Sequence, residues 1–256
     1  AREYQPPENG LHPPAPQRGH VHPAGGHSRP RGPRFYGDGA GRKWGQLMES
    51  VILLLELVGT LAFSISGALT GLRKNMDIFG VCILGLTTAV GGGVIRDLIL
   101  GSTPPATFQN PIYAAVAVAA ALVLLLPQVR HLLMWDQALF DRSLFWMDTA
   151  GLGIFTVMGI RAAFGQLVQP GLFLLVFVGV VTGAGGGVLR DVLAGDTPYI
   201  FVKHVYASAS LAGALVCALM WRTVGEIPAM LTGVGTVALI RCLSAHYHWN
   251  LPHAHD

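Results

Sequence analysis

The sequence predicts an all-α membrane protein of seven transmembrane helices, arranged as two inverted three-helix repeats plus a seventh helix, with helices two and five kinked. Composition is the first reason: of 256 residues 52% are hydrophobic and only 12% charged, against roughly 25% charged in a typical soluble domain. The second is length, because the chain after residue 48 holds about seven apolar runs of the ~20 residues that a bilayer crossing requires. The third is a doubled motif. Gly91-Gly92-Gly93-Val94-Ile95-Arg96-Asp97 returns as Gly185-Gly186-Gly187-Val188-Leu189-Arg190-Asp191, each copy inside an apolar run.

Residues 1–47 read as a disordered tail. They are rich in Pro, Gly and His and nearly free of aliphatic side chains, so they have too little apolar surface to offset the entropy of ordering. His12, His20, His22 and His27 have no closed-site spacing and read as solvated. Met48 directly precedes the first apolar run, which suggests a translation start there; mass spectrometry of the native N-terminus checks this.

Helix one is expected over 51–72, with Glu56 inside it, and Arg73-Lys74-Asn75 marks an interface. Helix two runs from Ile78 to Leu100, and Gly101 followed by Pro104-Pro105 stops it. Helix three occupies about 111–126. The first repeat is 48–130, and 131–145 is a connecting loop, since 128–143 carry Arg130, Asp136, Asp141 and Arg142.

The second repeat, 146–222, has helix four from Trp146 to Phe164, helix five from Leu172 to Ala194 and helix six from Val205 to Trp221. Gly195 and Pro198 stand where Gly101 and Pro104 stood. Residues 223–247 supply a seventh helix without a counterpart, and 248–256 a polar C-terminal tail.

The correspondence reaches beyond the glycines. Aligning Phe63-Ser64-Ile65-Ser66-Gly67 with Phe155-Thr156-Val157-Met158-Gly159 places Glu56 opposite Asp148 and Gly59 opposite Gly151. Three spans is an odd number, so the second unit enters the membrane from the other side, as in transporters with inverted repeats. Arg73, Lys74, Arg130, Arg142, Lys203 and Arg241 fall on one side and Arg161 and Arg222 on the other. The positive-inside rule then predicts a cytoplasmic C-terminus and an outside N-terminus.

Triple glycine costs a helix roughly 1 kcal/mol per residue relative to alanine, and an Arg or Asp at membrane depth about 2.5 to 3.5 kcal/mol. Doing both twice points to use. The glycines are expected to break helices two and five, exposing carbonyls suited to a cation and amides suited to an anion along a shared path. The candidate path residues are Gly91, Gly92, Gly93, Arg96, Asp97, Gly185, Gly186, Gly187, Arg190 and Asp191, with the intramembrane carboxylates Glu56 and Asp148. Arg96 is expected to pair with Asp191 and Arg190 with Asp97 across the repeats.

Other chemistry is not indicated. No Gly-Lys-Ser/Thr follows the glycines, and Gly183-Ala184-Gly185 lacks the strand-turn-helix context of a dinucleotide site, so neither an enzyme nor a cofactor is expected. Cys82, Cys217 and Cys242 lack metal-ligand spacing and read as small buried hydrophobes. His246, His248, His253 and His255 read as a solvated polar end. The excess of positive charge lies in the tail, which leaves nucleic acid an unsupported partner.

Two units of three helices, each with a Gly-Gly-Gly-Val-x-Arg-Asp motif followed by Gly-x-x-Pro, plus a seventh helix, resemble the bacterial membrane proteins of the trimeric intracellular cation (TRIC) channel superfamily, whose domain is also labelled a glycine transporter. The resemblance covers about 48–245. It implies a homotrimer in a plasma-membrane bilayer, one pore in each subunit lined by helices two and five, and passage of potassium or another monovalent cation. For some bacterial members it implies glycine or a similar small amino acid instead. Residue by residue it falls on the two Gly-Gly-Gly and Arg-Asp sets named above.

Overall fold

The computed structural model describes residues 38–202 and 205–247. The chain divides into two units between Gly41 and Arg42, and the fold below is that of the second. The expected tail and C-terminal end, residues 1–37 and 248–256, lie outside the described residues.

The described residues form ten helices in this order: α1 (Asp38–Arg73), α2 (Ile78–Ile99), α3 (Ala106–Gln109), α4 (Ile112–Leu125), α5 (Pro127–Trp135), α6 (Gln137–Gln166), α7 (Leu172–Leu193), α8 (Tyr199–Val202), α9 (Val205–Val224) and α10 (Glu226–Tyr247). Six are long and apolar enough to cross a membrane, and counting the bent pair α4–α5 as one span makes seven. The chain is an integral membrane protein.

Two expectations are corrected. The first concerns helices two and five: α2 and α7 each run as one continuous α-helix through their three glycines. The marked break falls elsewhere, between α4 and α5, which meet at 74°. Pro127 causes it, since its ring removes the N–H that would continue α4 and holds Leu126 in an extended conformation (φ −58°, ψ 132°).

The second is the connecting loop, which is helical. α6 starts at Gln137, well before Trp146, because the Asp136 carboxylate accepts the Ala138 N–H at 2.8 Å and caps the first turn. The charges of 137–143 occupy the exposed side of this turn, while Phe140 and Leu144, one turn apart, are buried with Leu69, Leu72 and Leu124. Asp136→Ala is expected to cost about 1 kcal/mol of helix stability and to raise amide hydrogen exchange over 137–141; unchanged exchange there refutes the cap.

α7 is the central element, packed against α2, α6 and α9, and α10 closes the bundle against α9 and α6. One apolar core joins α6, α7, α9 and α10 through Val157, Ile160, Val178, Cys217 and Met230, and a second joins the end of α1 to α2, α4 and α6. Of the three cysteines, Cys217 is fully buried and Cys82 and Cys242 partly so. Leu54, Phe79, Phe173, Leu219 and Leu239 lie on the exposed outer faces, as helices facing acyl chains require.

Candidate functional site

The glycines make a crossing. A Cβ on Gly92 would stand 2.2 Å from the Thr182 carbonyl oxygen of α7, and one on Gly186 would stand 2.2 Å from the Thr88 carbonyl oxygen of α2. A Cβ on Gly91 would meet Leu189 Cδ1 at 2.4 Å, and one on Gly185 would lie 3.4 Å from the Gly92 Cα. These four positions let α2 and α7 touch backbone to backbone in the interior. The third glycine of each set acts differently: an added Cβ on Gly93 would meet only the Arg96 Nη2, at 3.8 Å, whereas one on Gly187 would stand 2.6 Å from the Tyr206 hydroxyl, with the Arg190 Nη2 at 3.8 Å.

The expected pairing across the repeats is also corrected. Arg96 Nε and Nη2 both lie 2.8 Å from Oδ1 of its own neighbour Asp97, and Arg190 Nε is 2.8 Å from Oδ1 of Asp191. The long arginine stem folds back beside the glycine and reaches the adjacent residue, although the two positions diverge by about 100° on a helix. Each aspartate then uses its second oxygen to hold the chain beyond the helix end: Asp97 Oδ2 accepts the Ala106 N–H at 2.8 Å, and Asp191 Oδ2 accepts the Tyr199 N–H at 2.9 Å. Between helix and anchor the chain turns at Gly101 (φ +76°) and Gly195 (φ +70°). Their left-handed backbone lets Ser102 N–H reach the Asp97 carbonyl and Asp196 N–H reach the Asp191 carbonyl. The two halves match contact for contact here.

They diverge at the carboxylates. Glu56 is half-buried and accepts the Tyr113 hydroxyl at 2.5 Å. Asp148 is 1% exposed; its Oδ1 faces the Tyr206 hydroxyl at 3.4 Å and takes Arg190 Nη1 at 2.7 Å, and its Oδ2 takes Arg241 Nη2 at 3.0 Å. Arg190 Nη1 also donates to Ser66 Oγ, and its guanidinium lies over the Tyr199 ring. Arg241 lies against the Phe145 and Tyr206 rings, with Nε donating to Thr149. Burying two guanidinium groups is tolerable only because carboxylates, hydroxyls and ring faces surround them. Arg190 Nη2 is buried without a hydrogen-bond partner among the described residues.

Two cavities flank the crossing. The first, about 550 Å³, is lined by Glu56, Arg96, Asp97, Arg161, Trp221 and Glu226 among others. A recess of about 70 Å³ shares Glu56, Arg96, Ala106 and Met158 with it and adds Thr60, Gly93, Thr107 and Tyr113. The second cavity, about 300 Å³, is lined by Arg73, Asp141, Phe145, Asp148, Tyr199 and Arg241. Asp141 to Asp148 of α6 line the second cavity and Met158 to Gln166 line the first, so at 1.5 Å per residue about 15 Å of helix separates their nearest walls and the cavities open toward opposite ends of the bundle. Between them Phe63, Thr88, Leu152 and Thr182 are buried, and Phe63 stacks on Phe155 with ring centroids 5.3 Å apart.

All twelve residues singled out from the sequence thus fall at the crossing, beside it or on a cavity wall. The sequence reading missed Tyr113 and Tyr206, although each follows its Arg-Asp pair at nearly the same distance. Arg241, counted from the sequence only among the charges of one membrane side, is buried inside α10.

The family model described as glycine transporter matches residues 53–128 and again 145–222. The inner membrane protein YadS of Escherichia coli K12, a UPF0126 protein, is 36% identical over 207 residues, covering 79% of this chain and 95% of YadS. Among solved structures, the TRIC trimeric intracellular cation channel orthologue from Rhodobacter sphaeroides is 33% identical with a TM-score of 0.68, over 78% of this chain and 100% of that one. A prokaryotic TRIC channel crystallised in 0.5 M KCl is 29% identical with a TM-score of 0.71, over 79% and 100%. With both halves matched, this chain belongs to the glycine-transporter (UPF0126) family of membrane proteins, within the TRIC superfamily.

Proposed function

We propose that this protein conducts monovalent cations, potassium among them, through a path inside each subunit that joins the two cavities past the α2–α7 crossing. The observation that carries this reading is the placement of one carboxylate on each cavity, Glu56 on the first and Asp148 on the second, toward opposite ends of the bundle, with the doubled glycine crossing between them. Buried Phe63 and the touching glycines make the described conformation a closed one, and conduction requires α2 and α7 to separate there. The similar solved structures are TRIC channels, which supports the same direction. We further infer a homotrimer in the plasma membrane, two halves of opposite orientation, an outside N-terminus and a cytoplasmic C-terminus.

A second reading, transport of glycine or a similar small amino acid, is favoured by one observation: the 70 Å³ recess carries both an acid, Glu56, and a base, Arg96, which suits a small zwitterion. Reconstitution into liposomes decides. Ohmic potassium current that does not saturate supports the channel; saturable uptake of labelled glycine with little current supports the transporter; flux of neither refutes both.

A further inference from the structure

We propose that Glu56 and Tyr113 form a binding site for one singly charged cationic group in the recess off the first cavity, and that the corresponding position in the second half is already filled by the chain's own arginines. This deepens the permeation reading and rests on it for the route by which the cation arrives.

The internal comparison carries the argument. In both halves a tyrosine from the fourth or ninth helix donates its hydroxyl to the carboxylate, at 2.5 Å for Tyr113 on Glu56 and 3.4 Å for Tyr206 on Asp148. In the second half the rest of the carboxylate is occupied by cations, Arg190 on one oxygen and Arg241 on the other. The chain itself therefore demonstrates what this carboxylate-tyrosine pair holds. In the first half neither cation is present. Arg96, the counterpart of Arg190, stays on Asp97, and α10, which brings Arg241, has no counterpart. Among the described residues Glu56 keeps the Tyr113 hydroxyl and makes no ion pair.

Charge and space agree. The other charged groups facing the first cavity cancel in pairs, Arg96 with Asp97 and Arg161 with Glu226, which leaves the Glu56 carboxylate in excess. The recess adds oxygens suited to a small cation: Thr60, whose hydroxyl donates to the Glu56 carbonyl at 2.8 Å and keeps its lone pairs, and Thr107. About 70 Å³ admits a partly dehydrated ion with one or two waters, each taking roughly 30 Å³, or the ammonium end of a molecule of a few heavy atoms. Larger solutes do not fit. Potassium and the ammonium of a small amino acid share this chemistry.

The test is binding of radioactive rubidium to the full chain purified in detergent, beside potassium current in liposomes. One saturable rubidium site per subunit is expected. Glu56→Gln should weaken it at least tenfold, Glu56→Asp should keep it within about threefold, and Tyr113→Phe should weaken it severalfold, all with unchanged oligomer elution. Rubidium binding and a current-concentration curve in Glu56→Gln equal to those of the unmodified chain overturn the site while the channel reading stands. Should Glu56→Gln not fold, the Tyr113→Phe result decides by the same criterion. Rubidium displaced by glycine identifies the occupant as an ammonium. Rubidium bound without potassium current keeps the site and removes the channel, and neither rubidium nor glycine bound overturns the site.

Discussion

Alanine at Gly92 or at Gly186 is expected to destabilise this protein by about 3 kcal/mol, and leucine to prevent folding. The added Cβ would fall 2.2 Å from a carbonyl oxygen of the facing helix, Thr182 in one case and Thr88 in the other. Those oxygens belong to helical backbone and cannot rotate aside, so α2 and α7 must move apart by roughly an ångström along their whole contact. Overpacking a core typically costs 1–3 kcal/mol, and a rigid backbone partner places this one at the upper end, above a hundredfold in the folding equilibrium. Gly93→Ala is the internal control. Its nearest neighbour would be the Arg96 Nη2 at 3.8 Å, and alanine gains about 1 kcal/mol of helix propensity. Thermal unfolding in detergent, followed by tryptophan fluorescence and gel filtration, checks the series. A Gly92→Ala protein that melts with the unmodified one would show that the helices do not touch there.

Removing Asp148 should be the most damaging change of a single charge. Asp148→Ala leaves Arg190 and Arg241, 1% and 6% exposed, facing each other with one carboxylate, Asp191, where there were two. Breaking a buried ion pair from one side costs roughly 3–5 kcal/mol because the remaining charge stays desolvated. Arg241→Gln should cost clearly less, since Arg190 then keeps Asp148 to itself. Combining Asp148→Asn with Arg241→Gln should recover part of the loss, a non-additivity that a double-mutant cycle reads directly. Glu56→Gln, in the corresponding position of the first half, should change stability by less than about 1 kcal/mol, because Tyr113 donates as well to an amide oxygen. Equal losses from Asp148→Asn and Glu56→Gln would contradict the asymmetry between the halves.

The difference between those two carboxylates shows where sequence reading stops. Alignment of the halves places Glu56 opposite Asp148 and predicts equal roles. What separates them is Arg190, which reaches Asp148 while Arg96 stays on Asp97, and Arg241, three spans further along in a helix that belongs to neither repeat. A charge near the end of an apolar run reads as an interface marker; only packing of α10 against α6 brings it to Asp148. The same limit explains the glycines. Helix propensity says that three in a row weaken a helix, and that is correct for an isolated one. Tertiary contact reverses the outcome, because the missing side chains let another helix close over the gap and exclude the competitors that would open the backbone. For the Arg-Asp neighbours, Cα geometry alone ignores the reach of an arginine stem lying beside a glycine. In residues 128–143 the charges mask the one-turn spacing of Phe140 and Leu144.

The membrane class, the presence of six to seven spans and the internal duplication are legible in the residues alone, because apolar run length, helix stop signals and recurring motifs are local properties of the chain. The tertiary structure alone decided which partner each residue of the candidate site takes: Arg96 with Asp97, Gly92 against Thr182, Asp148 between two arginines and Glu56 beside a tyrosine. Such choices depend on distances between segments far apart in the chain, and in a low-dielectric interior a few ångströms decide whether a charge is neutralised from within or left for a mobile ion.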